Sequence, residues 1–280
     1  MFVSHFFDLV PIWLLLVGTV LIMVLFIEYG FRLGKRAQAG AKKAQTSQVR
    51  AIMGAGLGLL AFMLAFTFST AQTHFESRVQ NLAEEARIAR NAFMQADLLR
   101  EPSRTEAKQL LKDYVGIRSD LSRFAVKKNL EKTIGQALRE SEKIQKDLWV
   151  LVTSHDAPAK KGQTGTEQAS SLRTSVLALT DIHYTRIHSA IMNRIPFTIW
   201  ITLYLMAALS MIIMGYQAGL TDRRSPVATI TLAVAFSAVI ILITDLDRPI
   251  MSFFEINTQL LVDLNEYMEA DLRLKFIPGD

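Results

Sequence analysis

Cysteine is absent from the 280 residues of the chain. Its absence excludes disulfide bonds, thiolate metal sites and a thiol nucleophile. The sequence also lacks a phosphate-cradling glycine loop and the HExxH and GxSxG motifs of metalloproteases and serine hydrolases. An enzyme is therefore the least supported class of protein, and we expect no cofactor.

Histidine is scarce as well. Of the five histidines, His183 and His188 are five residues apart and so lie on different faces of a helix. The other three are isolated in the sequence: His5, His74 and His155. Because a metal site needs several ligands that converge, we expect no bound metal.

Charged residues are missing from four long apolar runs. Each run has about the 17 to 25 residues that a helix needs to cross a bilayer. The runs are Leu9 to Ile27, Ile52 to Ala71, Ile195 to Gly215 and Val227 to Ile243. No Lys or Arg precedes the first run, which is also too long for a cleavable signal peptide. The sequence predicts a multi-pass protein of the cell membrane, plasma or inner, with the lipid bilayer as its partner.

Acidic residues are missing from the link between the first two runs, RLGKRAQAGAKKAQTSQVR, which has six Lys or Arg. The link between the last two runs carries Arg223 and Arg224 against one aspartate, whereas residues 245–280 hold eight acids against three basic residues. Basic links stay in the cytoplasm. We therefore expect both links inside and both termini outside. Because the basic residues flank spans, we expect no nucleic acid as a partner.

The rest of the chain has helical periodicity, and no useful strand pattern occurs. The predicted fold is all-α, with four transmembrane helices and a soluble bundle of long helices between the second and third. The predicted parts are 1–72, the first helix pair with its basic link; 73–194, the soluble bundle; 195–250, the second helix pair; and 251–280, an acidic amphipathic tail. A helix in the tail would lie with its apolar face on the membrane surface or on the bundle. That face would contain Phe253, Phe254, Ile256, Leu260, Leu261, Leu264 and Met268.

The stretch FMLAFTFSTAQTHFESR, residues 62–78, changes from apolar to polar without a helix breaker. At 100° per residue, one stripe contains Phe62, Phe66, Ser69, Thr73 and Glu76. One interpretation is that several copies of the helix surround an axis, with the aromatic residues as a constriction and the polar residues as a wetter mouth. The other is that Gly54, Gly58 and Ala65 allow close helix packing and the hydroxyls bond to backbone carbonyls.

Three charged residues follow the fourth apolar run. Asp245, Asp247 and Arg248 lie where an unpaired charge near lipid is costly, so structural ion pairing is one interpretation. The alternative is a weak cation site at the two aspartates, because hard cations prefer oxygen ligands.

Several segments together resemble the bestrophin-like domain family, a group of membrane proteins of unknown function. They are GLGLLAFMLAFTFSTAQTHFESR, NLAEEARIARNAFMQADLLREP, RIPFTIWITLYLMAALSMIIMGYQAGL and the ending LDRPI, which span Gly54 to Ile250. The family is distantly similar to the bestrophins, pentameric anion channels whose second helix lines the pore with an aromatic neck.

The resemblance implies that Phe62 and Phe66 form a neck, with Ser69 and Thr73 just beyond it. Two features differ from bestrophins: Phe75 stands where a tryptophan is usual, and the charge count places the bundle outside, whereas bestrophins hold theirs in the cytoplasm. Two hypotheses follow. The chain is a homo-oligomeric channel for small ions, anions by the resemblance, or a membrane-anchored interaction or sensor module that transports nothing.

Overall fold

A computed structural model describes residues 10–38, 43–123, 130–154, 165–191, 194–222, 225–248 and 259–275. These stretches contain eight helices and no strand, which confirms the all-α prediction. The helices are α1 (Ile12–Ala37), α2 (Lys43–Ala96), α3 (Ser103–Arg123), α4 (Leu130–Ser154), α5 (Gly165–Ile191), α6 (Phe197–Thr221), α7 (Pro226–Asp247) and α8 (Gln259–Lys275). The predicted tail residues Phe253, Phe254 and Ile256 lie outside the described residues.

Four of these helices, α1, α2, α6 and α7, are long and apolar enough to cross a membrane. This confirms the four predicted spans. Each of them extends beyond its apolar run. The largest extensions are in α1, which continues past Ile27 to Ala37, and in α2, which begins at Lys43 and continues past Ala71 to Ala96. In the polar end of α1, Arg32 Nε donates to Glu28 Oε1 at 3.2 Å, one helical turn apart. Helix propensity and such pairs let a span continue into water.

The chain divides into two compact units. The membrane unit contains residues 1–75 and 193–254, and the bundle unit contains residues 76–192 and 255–280. Helix α2 runs without a break through the boundary, which falls between Phe75 and Glu76. The absence of Gly and Pro between Phe62 and Arg78 explains the continuity, because nothing in this stretch interrupts the backbone hydrogen bonds.

Glycines bring α1 and α6 into backbone contact in the membrane unit. A Cβ atom at Gly219 would lie 2.9 Å from the Cα atom of Gly34, and one at Gly34 would lie 3.0 Å from the Cα atom of Gly219. Similarly, a Cβ atom at Gly215 would lie 2.9 Å from the backbone nitrogen of Phe31, and Gly30 faces the backbone of Ile212. In lipid, apolar side chains gain little by leaving the membrane for a protein neighbour, so close backbone contact drives helix association.

Small polar groups connect the other two spans to this pair. Ser210 Oγ on α6 donates to the Gly56 carbonyl on α2 at 3.2 Å, and Ser237 Oγ on α7 lies 3.4 Å from Met23 Sδ on α1. A serine hydroxyl without a partner in hydrocarbon is costly, so these contacts also define which helix faces meet.

The bundle unit has an apolar core made from α2 to α5 and α8. Tyr114 and Phe93 are among its largest fully buried side chains. Helix α8 buries Leu261, Leu264 and Met268 in this core, so the tail helix packs on the bundle, the second of the two predicted alternatives. Leu260, predicted on the same face, is instead 53% exposed. The contact requires the tail and residues 76–192 to be on the same side of the membrane, which two crossings by α6 and α7 provide.

A buried lysine fixes α8 in the bundle. Lys108 on α3 is 1% exposed, and its Nζ atom lies 2.7 Å from Asp97 Oδ1 and 2.8 Å from Asp271 Oδ2. The same Nζ lies 4.5 Å from the centre of the Phe93 ring, where a cation is attracted by the aromatic face. Lys108 therefore links the end of α2 with α8 through α3.

Candidate functional site

The predicted stripe of α2 lies on a face that the described part of the chain leaves uncovered. Phe62 is 66% exposed and Phe66 is 60% exposed, although both are large apolar side chains. Ser69, Thr73 and Glu76 continue the same face of the same helix and are also exposed. The structure thus places all five residues on one side of α2.

The opposite face of α2 is the packed one. Leu60 and Ala71 are fully buried and Leu64 is 4% exposed, in the core of the membrane unit. Two environments on one helix reproduce the division that the 100° spacing predicts. If the exposed face of α2 met only lipid, hydroxyl groups would have no reason to collect on it.

The glycines of α2 do not serve packing within the described chain. A Cβ atom at Gly54 or at Gly58 would meet nothing within 4 Å, and Ala65 is exposed. Gly56 differs, because a Cβ atom there would lie 3.7 Å from Ser210 Oγ on α6. The packing role considered for Gly54 and Gly58 therefore has no partner among the described helices.

The threonine hydroxyls of α2 bond to the helix itself. Oγ1 of Thr67, Thr70 and Thr73 donates to the carbonyl oxygen four residues earlier, at 2.7, 3.1 and 2.9 Å. Such bonds satisfy the hydroxyl proton and let a polar residue stay inside an apolar helix. They leave the oxygen lone pairs of Thr73 directed away from the backbone on the exposed face.

The charged end of α7 makes structural contacts. Asp247 Oδ1 accepts a hydrogen bond from the backbone N–H of Ile195 at 2.9 Å, just before α6 begins. Arg248 is 4% exposed and donates to the carbonyl of Val10 at 3.0 Å, just before α1. Asp245 is 3% exposed. Two of the three residues therefore hold the starts of neighbouring helices, and the described residues contain no group of three His, Asp or Glu side chains able to hold a metal.

A cluster of buried charges in the bundle was not predicted. Glu85 on α2 is fully buried, and Arg118 Nε on α3 donates to its Oε1 atom at 3.0 Å. Arg186 on α5 pairs with Oε2 of the same carboxylate, and the Tyr114 hydroxyl donates to Oε1 at 2.5 Å. The Tyr114 oxygen also lies 3.5 Å from His183 Nδ1. Gln145 of α4 donates to the same oxygen at 3.5 Å.

Burial sets the protonation of this cluster. It raises the pKa of Tyr114 to about 12, so the hydroxyl keeps its proton and donates to Glu85. Burial, followed by the charge of Arg118, lowers the pKa of His183 to about 4, so this histidine is neutral at pH 7. Burial also lowers the pKa of Arg186, to about 10, which still leaves it charged. Two guanidinium groups therefore face one carboxylate.

The sequence contained a signal for the cluster. Glu85 lies between Leu82 and Ala89 in the apolar stripe of α2, three residues after the first and four before the second. His183 follows Leu179 by four residues in the same way on α5. A charged or titratable residue within an apolar helical stripe indicates a buried partner on another helix, because burial of a lone charge is costly.

Comparison with known protein families decides the membership of the chain. The model of the Bestrophin-like domain matches residues 17–260, most of the chain. The chain belongs to the Bestrophin-like domain family. No curated protein matches it. Together with the four apolar helices, family membership makes the chain an integral membrane protein, and the match includes α2 with its exposed stripe.

Proposed function

We propose that this Bestrophin-like protein assembles into a homo-oligomeric ion channel whose pore is lined by α2. The observation that carries the proposal is the exposed stripe. Phe62, Phe66, Ser69 and Thr73 follow one another on the one face of α2 that the described helices leave open. Large apolar and hydroxyl side chains in a single line suit a constriction followed by a wetter mouth.

The shape of the exposed face supports the same arrangement. Ala51, Ala55 and Gly58 precede Phe62 on this face, so small side chains occupy one half of the proposed pore. The change from small to aromatic residues would narrow the pore at Phe62 and Phe66. From Phe62 to Thr73 the helix rises about 16 Å, roughly half the thickness of the hydrocarbon core. One helix cannot enclose a pore, so several copies of the chain are required.

Positive charge flanking the spans supports an orientation with the bundle outside. Arg32, Lys35 and Arg36 lie in the last turns of α1, and Arg50 lies near the start of α2. If these residues stay in the cytoplasm, both termini and the bundle are outside. The chain has no cysteine, so a single engineered one reports its side. Glu142→Cys in the exposed face of α4 should react with an impermeant maleimide from outside, and Arg36→Cys should not. Reaction of Glu142→Cys only from the cytoplasm would reverse the orientation.

Ion flux through liposomes tests the channel directly. The purified protein should dissipate an ion gradient, and Phe62→Ala combined with Phe66→Ala should increase the flux, because the constriction loses both rings. Phe197→Ala is the matched control, since Phe197 is also an exposed aromatic residue of the membrane unit, at 49%, but lies on α6. It should leave the flux unchanged.

Two results would end the proposal. The first is the absence of flux from both the parent protein and the double variant. The second is a monomeric mass in a mild detergent and in nanodiscs, because a monomer cannot place several α2 stripes around an axis. Either result would leave the interaction module as the function of the chain.

A further inference from the structure

We propose that the basic end of α1 binds an anionic phospholipid. Arg32 and Arg36 hold its phosphate, and the apolar face of the same helix lies along an acyl chain. The partner is a molecule of the bilayer, so the inference goes beyond the proposed channel and does not depend on ion flux.

One face of α1 changes from apolar to aromatic to basic along its length. At 100° per residue, Leu21, Tyr29, Arg32 and Arg36 lie within about 40° of Leu25. The side chains of Leu21, Leu25 and Tyr29 are each more than half exposed. Both arginines are exposed as well. The described helices of the membrane unit therefore leave this face of α1 open.

The opposite face of α1 is the packed one. Met23 and Ile27 are buried in the core of the membrane unit, and Gly34 meets the backbone of α6. Because close backbone contact with α6 fixes the back of α1, the positions of the two arginines on its front are fixed too. In the membrane, lipid is the neighbour that suits the apolar part of this front face.

The length of the apolar face matches one leaflet of a bilayer. From Tyr29 back to Gly18 the helix rises about 16 Å, half the thickness of the hydrocarbon core. A Cβ atom at Gly18 would meet nothing within 4 Å, so the face is open to that depth. Tyrosine is enriched at the level of the lipid headgroups. Tyr29 therefore marks that level, and Arg32 and Arg36 lie about one and two turns beyond it.

The surplus charge at this end of α1 is positive. Glu28 lies 3.2 Å from Arg32, and Asp222 lies 3.7 Å from Lys35. Ion pairs on the surface contribute little, so neither acid prevents its partner from meeting a phosphate. From Tyr29 to Phe75 the sequence contains six Lys or Arg and no acidic residue. The link that follows α1 therefore adds to the attraction of an anionic headgroup.

Two guanidinium groups one turn apart suit a phosphodiester. The helix rises about 6 Å from Arg32 to Arg36, and a guanidinium group can form two parallel hydrogen bonds to phosphate oxygens. Phosphatidylglycerol presents such a phosphate without a cation. Phosphatidylcholine presents the same phosphate beside a quaternary ammonium group, which the basic end of α1 repels. The site should therefore distinguish the two headgroups.

Lipid titration followed by native mass spectrometry tests the site. The delipidated protein in a nonionic detergent should bind dioleoyl phosphatidylglycerol about tenfold more tightly than dioleoyl phosphatidylcholine. Inorganic phosphate should not displace the lipid, because it lacks the acyl chains. Equal affinities for the two lipids would overturn the inference. Displacement by inorganic phosphate would also overturn it, since the ligand would then be the free anion.

Paired variants identify the binding residues. Arg32→Gln with Arg36→Gln should weaken the binding of phosphatidylglycerol about tenfold or more, since each basic residue near anionic headgroups contributes about fivefold. The binding of phosphatidylcholine should not change. Arg32→Lys with Arg36→Lys keeps the charge but loses the planar fork, so its affinity should lie between those of the parent and the Gln variant. A Lys variant that bound like the parent would refute the guanidinium site.

Arg87→Gln with Arg90→Gln is the matched control. Both arginines are exposed on α2 in the bundle unit, and Arg87 pairs with Glu84 much as Arg32 pairs with Glu28. This variant should bind phosphatidylglycerol like the parent. Equal weakening in the two Gln variants would assign the effect to net charge and overturn the inference.

Two further measurements accompany the binding data. The melting temperature of each variant should match that of the parent, because every substituted side chain is on the surface. Ion flux is measured on the same preparations. Specific binding of phosphatidylglycerol without flux would support the lipid site and remove the channel, whereas flux without headgroup preference would do the reverse.

Discussion

The two units of the chain use different means to hold their helices together. In the membrane unit, Gly34 and Gly219 allow α1 and α6 to touch through their backbones. In the bundle unit, Glu85 and Arg118 form an ion pair inside an apolar core. The difference follows from the solvent. Water drives apolar side chains together, and the resulting core can hold a few paired charges. Lipid does not drive apolar side chains together, so helices in the membrane associate by close backbone contact.

A second difference lies within the membrane unit. Gly30 and Gly34 are four residues apart and face the backbone of α6, where Gly34 meets Gly219, whereas Gly54 and Gly58 have the same spacing and meet nothing within 4 Å. Two pairs of glycines with the same spacing therefore lie in different environments, one against a neighbouring helix and one on an open face. The glycines that face another helix serve the fold of a single chain, and those that face outward are free to serve an assembly.

Loss of the buried carboxylate should have the largest effect on stability. Glu85→Gln leaves two guanidinium groups in the bundle core without their counter-charge, and removal of one partner from a buried ion pair costs about 3 to 5 kcal/mol. Hydrogen exchange in detergent should show faster exchange of peptides from residues 76–191, while peptides of α6 and α7 change little.

The adjacent residue provides the control. Glu84 is on the surface and pairs with Arg87, with side chains 43% and 60% exposed. Glu84→Gln should therefore leave hydrogen exchange close to that of the parent. If the two variants behaved alike, the cluster around Glu85 would have no special role in the bundle.

Acid should destabilise the bundle by a similar or somewhat smaller amount. The pKa of His183 is about 4 in the fold and about 6.5 in an unfolded chain, so between these values the unfolded chain binds more protons. The bundle therefore has its full stability above about pH 6.5 and becomes less stable as the pH falls toward 4. The difference between the two pKa values limits this loss of stability to about 3 kcal/mol.

Thermal unfolding of the bundle as a function of pH measures the effect. His183→Gln removes the titrating ring and should flatten the profile between pH 6.5 and 4.5, after correction for its own stability. A profile as steep as that of the parent would show that other groups, such as the exposed carboxylates, cause the acid sensitivity.

The sequence predicted much of the fold because local signals determined it. Four apolar runs located the spans, and the lack of a breaker after Phe62 predicted that α2 leaves the apolar region as one helix. The same local spacing predicted which face of α2 carries the stripe. The Glu85 cluster and the α1–α6 crossing were missed, since each depends on residues far apart in the chain. Glu85 and Arg186 are 101 positions apart in number, and only the fold brings them together.

A methyl group at the helix crossing should have the next largest effect. Gly215→Ala places its Cβ against the backbone of Ile27 and Phe31, which cannot move as a side chain can. Overpacking of this kind costs about 1 to 3 kcal/mol. The melting temperature of the membrane unit in detergent should fall, and exchange in α1 and α6 should increase. A neutral result would mean that the two helices can separate without loss.

The same substitution on α2 should have the smallest effect on stability. Gly58→Ala adds a methyl group where nothing lies within 4 Å, and alanine is the better helix former by about 1 kcal/mol, so the single chain should be equally or more stable. If other copies of α2 approach this face, the methyl group should instead change the mass of the oligomer or its conductance. Thermal unfolding, mass photometry and bilayer currents on one preparation separate these effects. A variant that melts, assembles and conducts like the parent would place Gly58 against lipid and restrict the pore to the part of α2 that begins at Phe62.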